Sequence, residues 1–204
     1  MMKNLALVLT VLSVLLGPAT ARTQTADDEA IVEVHRGSPN IPDWVSYSLF
    51  LPMVNEGSHG FHIFADAFGI EQDTVEGASR VSFLESWFLE SAATIERERY
   101  ATTAALLCSG NWQDMNLEQF IRGLERLESE VERIYQMEYV ATVQELSPSE
   151  RRAFKNYLQQ SKSATTYGDM DNRKFYEEAG EEEFRNTHAA TCERLPAEYA
   201  ARRN

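Results

Sequence analysis

NLEQFIRGLERLESEVERI, residues 116–134, decides the fold class. Leu117, Phe120, Leu124, Leu127, Val131 and Ile134 recur alternately three and four residues apart. That spacing stacks side chains on one face of an α-helix, and here it forms a heptad seam with Glu and Arg on the other faces. The seam covers only about three heptads, which favours packing inside a bundle of the same chain over pairing with a second chain. Asn116, with Gln119 three residues on, is a helix start. The pattern predicts a helix to about Glu145, ~45 Å at 1.5 Å per residue.

Outward from this helix the punctuation is equally helical. Ser147-Pro148-Ser149-Glu150 combines a capping residue, a proline suited to the first turn and a glutamate that closes a capping box. Phe154, Tyr157 and Leu158 supply the buried stripe of a shorter helix ending near Ser163. Upstream, Asp73 with Glu76 starts a helix over 74–108, with Val81, Leu84, Phe88, Ala92 and Ile95 as its stripe and Ser109-Gly110 as its cap. Pro42 opens an apolar segment carrying Trp44, Tyr47 and Phe50, which Pro52 should end or kink. Phe61, Phe64, Ala65 and Phe68 form a short amphipathic turn stopped by Gly69. Residues 163–171 read as a loop, and a last helix is expected over about 172–195, closed by Pro196. Nothing alternates apolar and polar for long enough to demand a strand. The expectation is an all-α fold: a helical bundle of about four to five helices with one long central helix pair, built as a single helical domain over 41–204.

The N-terminus carries different information. Lys3, the uncharged run Leu5–Leu16, Gly17-Pro18 and then Ala19-Thr20-Ala21 match a secretory signal peptide cleaved after Ala21. The run would span ~18 Å as a helix against a hydrocarbon core of ~30 Å, so it makes a poor membrane span. Residues 22–40 then read as a flexible N-terminal lead-in. The chain has a formal net charge of −13, and loss of the leader removes Lys3 and no acid, leaving −14. Such a balance disfavours nucleic acid and anionic lipid, and suits a self-repelling monomer or a binder of a basic protein or peptide. Export to the periplasm or the exterior is the expected localisation.

Three constellations could carry chemistry. Near the C-terminus THAATCERL, residues 187–195, sets His188 and Cys192 one helical turn apart on the stripe Phe184, His188, Cys192, Leu195. This could be a thiol with its base, half of a metal site, or one end of a disulfide. Export and the presence of one other cysteine favour a Cys108–Cys192 disulfide, with His188 a polar neighbour at the bundle margin. Cys108 and Cys192 both sit near C-terminal helix ends, which strict up-down alternation puts at opposite poles. The disulfide therefore requires the last helix to depart from that alternation. Second, His59 and His62 with Asp66 share a helical face and could hold zinc or copper. Third, Glu138 falls on the heptad seam. Around it Tyr135, Met137, Tyr139 and Val140, with Trp44, Tyr47, Trp87 and Trp112, could form an aromatic binding groove. A ferritin-like di-metal site requires two Glu-x-x-His pairs, and the sequence holds a single one, Glu56 with His59. The start of a calcium loop at Asp169 lacks the glycine at Lys174 and the acid at Gly180.

ELSPSERRAF, residues 145–154, resembles the Leu-Thr-x-x-Gln helix start of small periplasmic stress chaperones of the Spy/CpxP kind, with Ser147 for Thr and Glu150 for Gln. A capping box accounts for the same residues. The resemblance covers ten residues and implies a chaperone-like helical cradle. The residues themselves lead to an exported, non-catalytic binding or interaction protein of the cell envelope, needing no cofactor. A metal-binding protein using His59 and His62, and the chaperone-like cradle, stand as alternatives.

Overall fold

The computed structural model describes residues 31–36, 41–55, 65–71, 73–162, 166–170 and 172–201. It is a helical bundle with packed helix pairs. In chain order the elements are β1 (Ile31–Arg36), α1 (Asp43–Asn55), α2 (Val75–Leu107), α3 (Leu117–Glu145), α4 (Pro148–Lys162), β2 (Thr166–Met170), α5 (Asn172–Ala179) and α6 (Glu181–Ala201). A 3-10 turn, Trp112–Asp114, lies between α2 and α3. The long central pair is α2 and α3, of 33 and 29 residues. Among the described residues no helix is long and apolar enough to cross a membrane.

Two short strands accompany the helices. β1 and β2 pair in a two-stranded sheet, one falling in the expected lead-in and the other in the expected 163–171 loop. A two-stranded ribbon of this size has little stability of its own. The pairing joins two segments far apart in the sequence.

The chain divides into two compact units, and residues 41–204 contribute to both. One consists of residues 36–96 and 132–165, and holds α1, most of α2, the second half of α3, and α4. Its core is aromatic. Phe50 meets Phe88 at 5.2 Å and Phe154 at 5.3 Å, both edge-on, while Phe68 stacks on Phe154 at 4.8 Å between ring centroids. Leu84, Val81, Ile95, Ile134 and Leu158 surround these rings. Rings in such edge and offset arrangements add ~0.5–1.5 kcal/mol per pair beyond their area burial. The other unit consists of residues 1–35, 97–131 and 166–204. In it Phe120 is the hub, 5.1 Å from Tyr176 and 5.0 Å from Phe184.

The helix starts follow the capping chemistry with one shift. Asn116 and Gln119 cap reciprocally: the Asn116 N–H donates to Gln119 Oε1 at 3.0 Å, and the Gln119 N–H to Asn116 Oδ1 at 2.9 Å. Ser147 and Glu150 do the same at 2.7 and 3.3 Å. At α2 the cap is Thr74 rather than Asp73, its Oγ1 accepting from the Gly77 N–H at 3.0 Å. Glycine is required there, because a Cβ on Gly77 would lie 1.9 Å from the Glu71 carbonyl oxygen.

Two expectations at helix ends are corrected. α1 runs through Pro52 to Asn55, and α6 runs through Pro196 to Ala201. A proline ring holds φ in the helical range and forfeits one hydrogen bond, so a helix anchored on both sides can carry it. The last helix breaks instead at Gly180, whose φ of +87° is left-handed. There the chain leaves α5 through a glycine and re-enters a helix headed by Glu181, Glu182 and Glu183, three acids that suit a helix N-terminus. The break makes α5 pack on α6 and places Cys192 in the middle of α6, so the anticipated conflict between helix poles does not arise.

Candidate functional site

Cys108 is the first residue beyond α2, and it is bonded to Cys192, with the Cα atoms 5.3 Å apart. His188, one turn before Cys192, is 2% exposed, so it belongs to the core and not to the bundle margin expected from sequence. Its Nε2 lies 2.6 Å from the Leu107 carbonyl oxygen. A carbonyl can only accept, so Nε2 carries the proton and donates. The ring is held by Phe120 at 5.0 Å, Trp112 at 5.3 Å and Phe184 at 5.9 Å. Burial lowers the His188 pKa, outweighing the Leu107 carbonyl, which raises it; the Arg185 charge adds to the lowering. The imidazole is therefore a neutral donor that satisfies one of the last carbonyls of α2, a group every helix end leaves over. The Cys192 sulfur, which carries no proton in the disulfide, packs 3.6 Å from the same carbonyl.

The neighbouring charges serve the same joint. Arg185 Nη1 donates to the Gln113 and Met115 carbonyls at 3.1 and 3.0 Å, tying α6 to the connection between α2 and α3. Glu181 receives the Arg185 Nε at 3.0 Å, and Glu183 receives the Thr187 hydroxyl at 3.1 Å. Glu181 and Glu183 are thus engaged with these partners. With Phe184, Cys192 and Leu195 all buried, the stripe is a packing face. A thiol nucleophile does not exist here, because both sulfurs are in the bond.

His59 and His62 lie outside the described residues. Asp66, the third member of that candidate metal set, is exposed between the buried Ala65 and Ala67. Among the described residues no three His, Cys, Asp or Glu side chains come together as a metal-binding group.

The sequence reading missed a polar network in the unit formed by 36–96 and 132–165. Lys162 is 4% exposed, and its ammonium donates to Asp43 Oδ1 at 2.6 Å. Asp43 Oδ2 accepts from the Tyr139 hydroxyl at 3.1 Å, and Oδ1 from Gln159 Nε2 at 3.4 Å. Burial pushes the Tyr139 phenol up to about 12, and Asp43 reinforces that. Nearby, the Tyr47 hydroxyl shares a hydrogen bond with Thr142 Oγ1 at 3.0 Å, and Trp87 Nε1 donates to the same oxygen at 3.3 Å. Burial likewise pushes Tyr47 up to about 12. Ser91 donates to Glu138 Oε2 at 2.7 Å, so the seam glutamate is held by a hydroxyl across the helix pair. These groups lock α1 to α3 and α4. Only the spacing of Lys162 four residues after buried Leu158 hinted at the ion pair.

Of the aromatic residues expected to form a groove, Trp112 belongs to the unit containing 97–131 and the others to the unit formed by 36–96 and 132–165. Trp44 stacks near Tyr135 at 6.1 Å, Tyr47 meets Tyr139 at 5.7 Å, and Trp112 faces His188. Met137 and Val140 are 58% and 51% exposed, and on α2 Phe83 and Leu89 are 45% and 41% exposed. Comparison with protein-family models, with characterised proteins and with solved structures finds no match to this chain.

Proposed function

We propose that this chain is an exported, non-catalytic helical protein of the cell envelope that associates with a basic protein or peptide. The observation that carries the reading is the fate of the His188–Cys192 pair. The Cys192 thiol is bonded to Cys108, and the His188 imidazole is buried against the Leu107 carbonyl. What remains at the surface is negative charge, −13 over the whole chain. A disulfide closing a long loop suits an oxidising compartment. This supports the signal-peptide reading of residues 1–21 and periplasmic or extracellular residence.

Association driven by that charge is weakened by salt, since the Debye length falls from ~30 Å at 0.01 M to ~8 Å at 0.15 M. The test is titration of the oxidised protein with oligolysine at those two ionic strengths, beside oligoglutamate. Salt-sensitive binding of the basic peptide alone is expected. Equal binding of both, or of neither, rejects the reading. Elemental analysis of the same preparation, repeated on His62→Ala, addresses the alternative. Stoichiometric metal that disappears in the variant would favour a metal-binding protein.

A further inference from the structure

We infer that the flank of the α2–α3 pair carrying Phe83, Trp87, Ala141 and Met137 is the docking surface, and that its occupant is a cationic amphipathic helix. This rests on the basic-partner reading above and names the surface it would use. Three contacts set the register of the two helices. Arg80 Nη2 donates to the Glu145 carbonyl at 3.0 Å, Trp87 to Thr142 at 3.3 Å, and Ser91 to Glu138 at 2.7 Å. Residue numbers rise on α2 as they fall on α3, so the helices run antiparallel. Phe83 and Trp87 are one turn apart on α2, and Met137 and Ala141 one turn apart on α3. Leu84, Phe88 and Tyr139 point into the aromatic core. The flank is therefore the side of the pair turned away from that core.

The flank is apolar along its middle and acidic at its edges. Phe83 and Met137 are 45% and 58% exposed, and Phe83 stacks on Trp87 at 6.4 Å. Glu76 and Glu90 are exposed about two turns before and after Phe83 on its own side of α2, and Glu145 is exposed on α3. Two cations border the same flank. Arg80 lies 5.0 Å over the Phe83 ring, but its guanidinium is already held by both oxygens of Glu150. Arg133 reaches Met137 Sδ at 3.0 Å, at the far end. Charge complementarity thus selects the occupant. An apolar stripe matches Phe83 and Met137, and lysines flanking that stripe meet Glu76, Glu90 and Glu145, the helix-in-groove mode of recognition. Leu89 lies six residues after Phe83, about 120° around the helix, and is off this flank.

The experiment uses the full oxidised chain and two synthetic peptides of equal charge. One is a Leu/Lys helix of about 18 residues with its leucines on one face, and the other is oligolysine. Isothermal titration at low salt is expected to give the amphipathic peptide an advantage of roughly tenfold or more over oligolysine. Phe83→Ser with Met137→Ser removes that advantage, Glu76→Lys with Glu90→Lys weakens both peptides, and Leu89→Ser changes neither. All these side chains are solvent-exposed, and far-UV circular dichroism checks that each variant remains folded. If the two peptides bind alike, or the advantage survives Phe83→Ser with Met137→Ser, the docking surface is wrong while the basic-partner reading stands. If neither peptide binds the intact protein, both fall.

Discussion

Opening the Cys108–Cys192 bond frees a loop with a sequence separation of 84, which contains α3, α4 and α5. In the chain-entropy account, closing such a loop removes about 15 cal/mol/K from the unfolded chain, or about 4.5 kcal/mol at room temperature. Cys108→Ala with Cys192→Ala should lower the free energy of unfolding by about that amount. The joint should persist in the folded variant, because the Leu107 carbonyl keeps His188 and Arg185 still holds the carbonyls of Gln113 and Met115. For a chain of this size the loss corresponds to a fall in Tm of about 10–18 °C. Urea unfolding of the oxidised, reduced and double-alanine proteins measures it. The uncrosslinked unfolded chain exposes more surface, so the urea m-value should rise as stability falls. A loss below about 1 kcal/mol with an unchanged m-value would refute the loop-entropy reasoning and leave the bond as a by-product of packing.

Further outcomes follow from single groups. The Arg80 guanidinium holds the Glu150 carboxyl down to about 2, against an ordinary 4.5. A lowered carboxylate pKa stabilises the fold above the unfolded value, and that stability is lost as pH falls through the folded value. Glu150→Gln should therefore cost about 2–3 kcal/mol at neutral pH, less where water reaches Arg80, and variant and parent should converge in urea titrations as pH drops toward about 2. His188, lowered by burial, acts at higher pH. Its contribution is complete above the unfolded value of about 6.5 and is lost as pH falls below it, because the unfolded chain takes up the proton first. Protection factors of α6 amides, corrected for the intrinsic pH dependence of exchange, should fall between about pH 7 and pH 5 in the parent; His188→Gln should flatten that dependence, and an identical profile would contradict the assignment. Gly77→Ala should destabilise the start of α2 although alanine is ~1 kcal/mol the better helix former. The added Cβ meets the Glu71 backbone oxygen at 1.9 Å, whereas at Gly123 its nearest neighbour is a side-chain atom, Leu107 Cδ2 at 2.6 Å, and the nearest backbone oxygen is 3.4 Å away. Thermal melts should rank Gly77→Ala as the costlier change.

What could be read from residues alone was whatever is local in chain order. The 117–134 seam, the reciprocal caps at Asn116 and Ser147, and the acid-headed start of α2 are decided by neighbours three or four positions away, and helix geometry turns that spacing directly into structure. The Cys108–Cys192 bond was also legible, for a different reason: with two cysteines there is only one intramolecular pairing. Gly180 followed by three glutamates carried a break signal, but the apolar spacing of Phe175, Tyr176 and Phe184 reads across it.

The remainder depended on partners distant in sequence. Whether His188 sits at a margin or in a core is set by Phe120 and Trp112 and by a helix-end carbonyl at Leu107, none of which its own helix specifies. Asp43 and Lys162 are 119 residues apart, and each alone is an ordinary surface charge. The pairing of β1 with β2 is of the same kind. Sequence by itself determined the periodicity, the caps, the charge and the cysteine pairing, because these follow from spacing and composition. Tertiary structure decided which polar groups are buried and satisfied and which apolar ones remain at the surface. Desolvation and hydrogen bonding depend on what arrives from elsewhere in the chain.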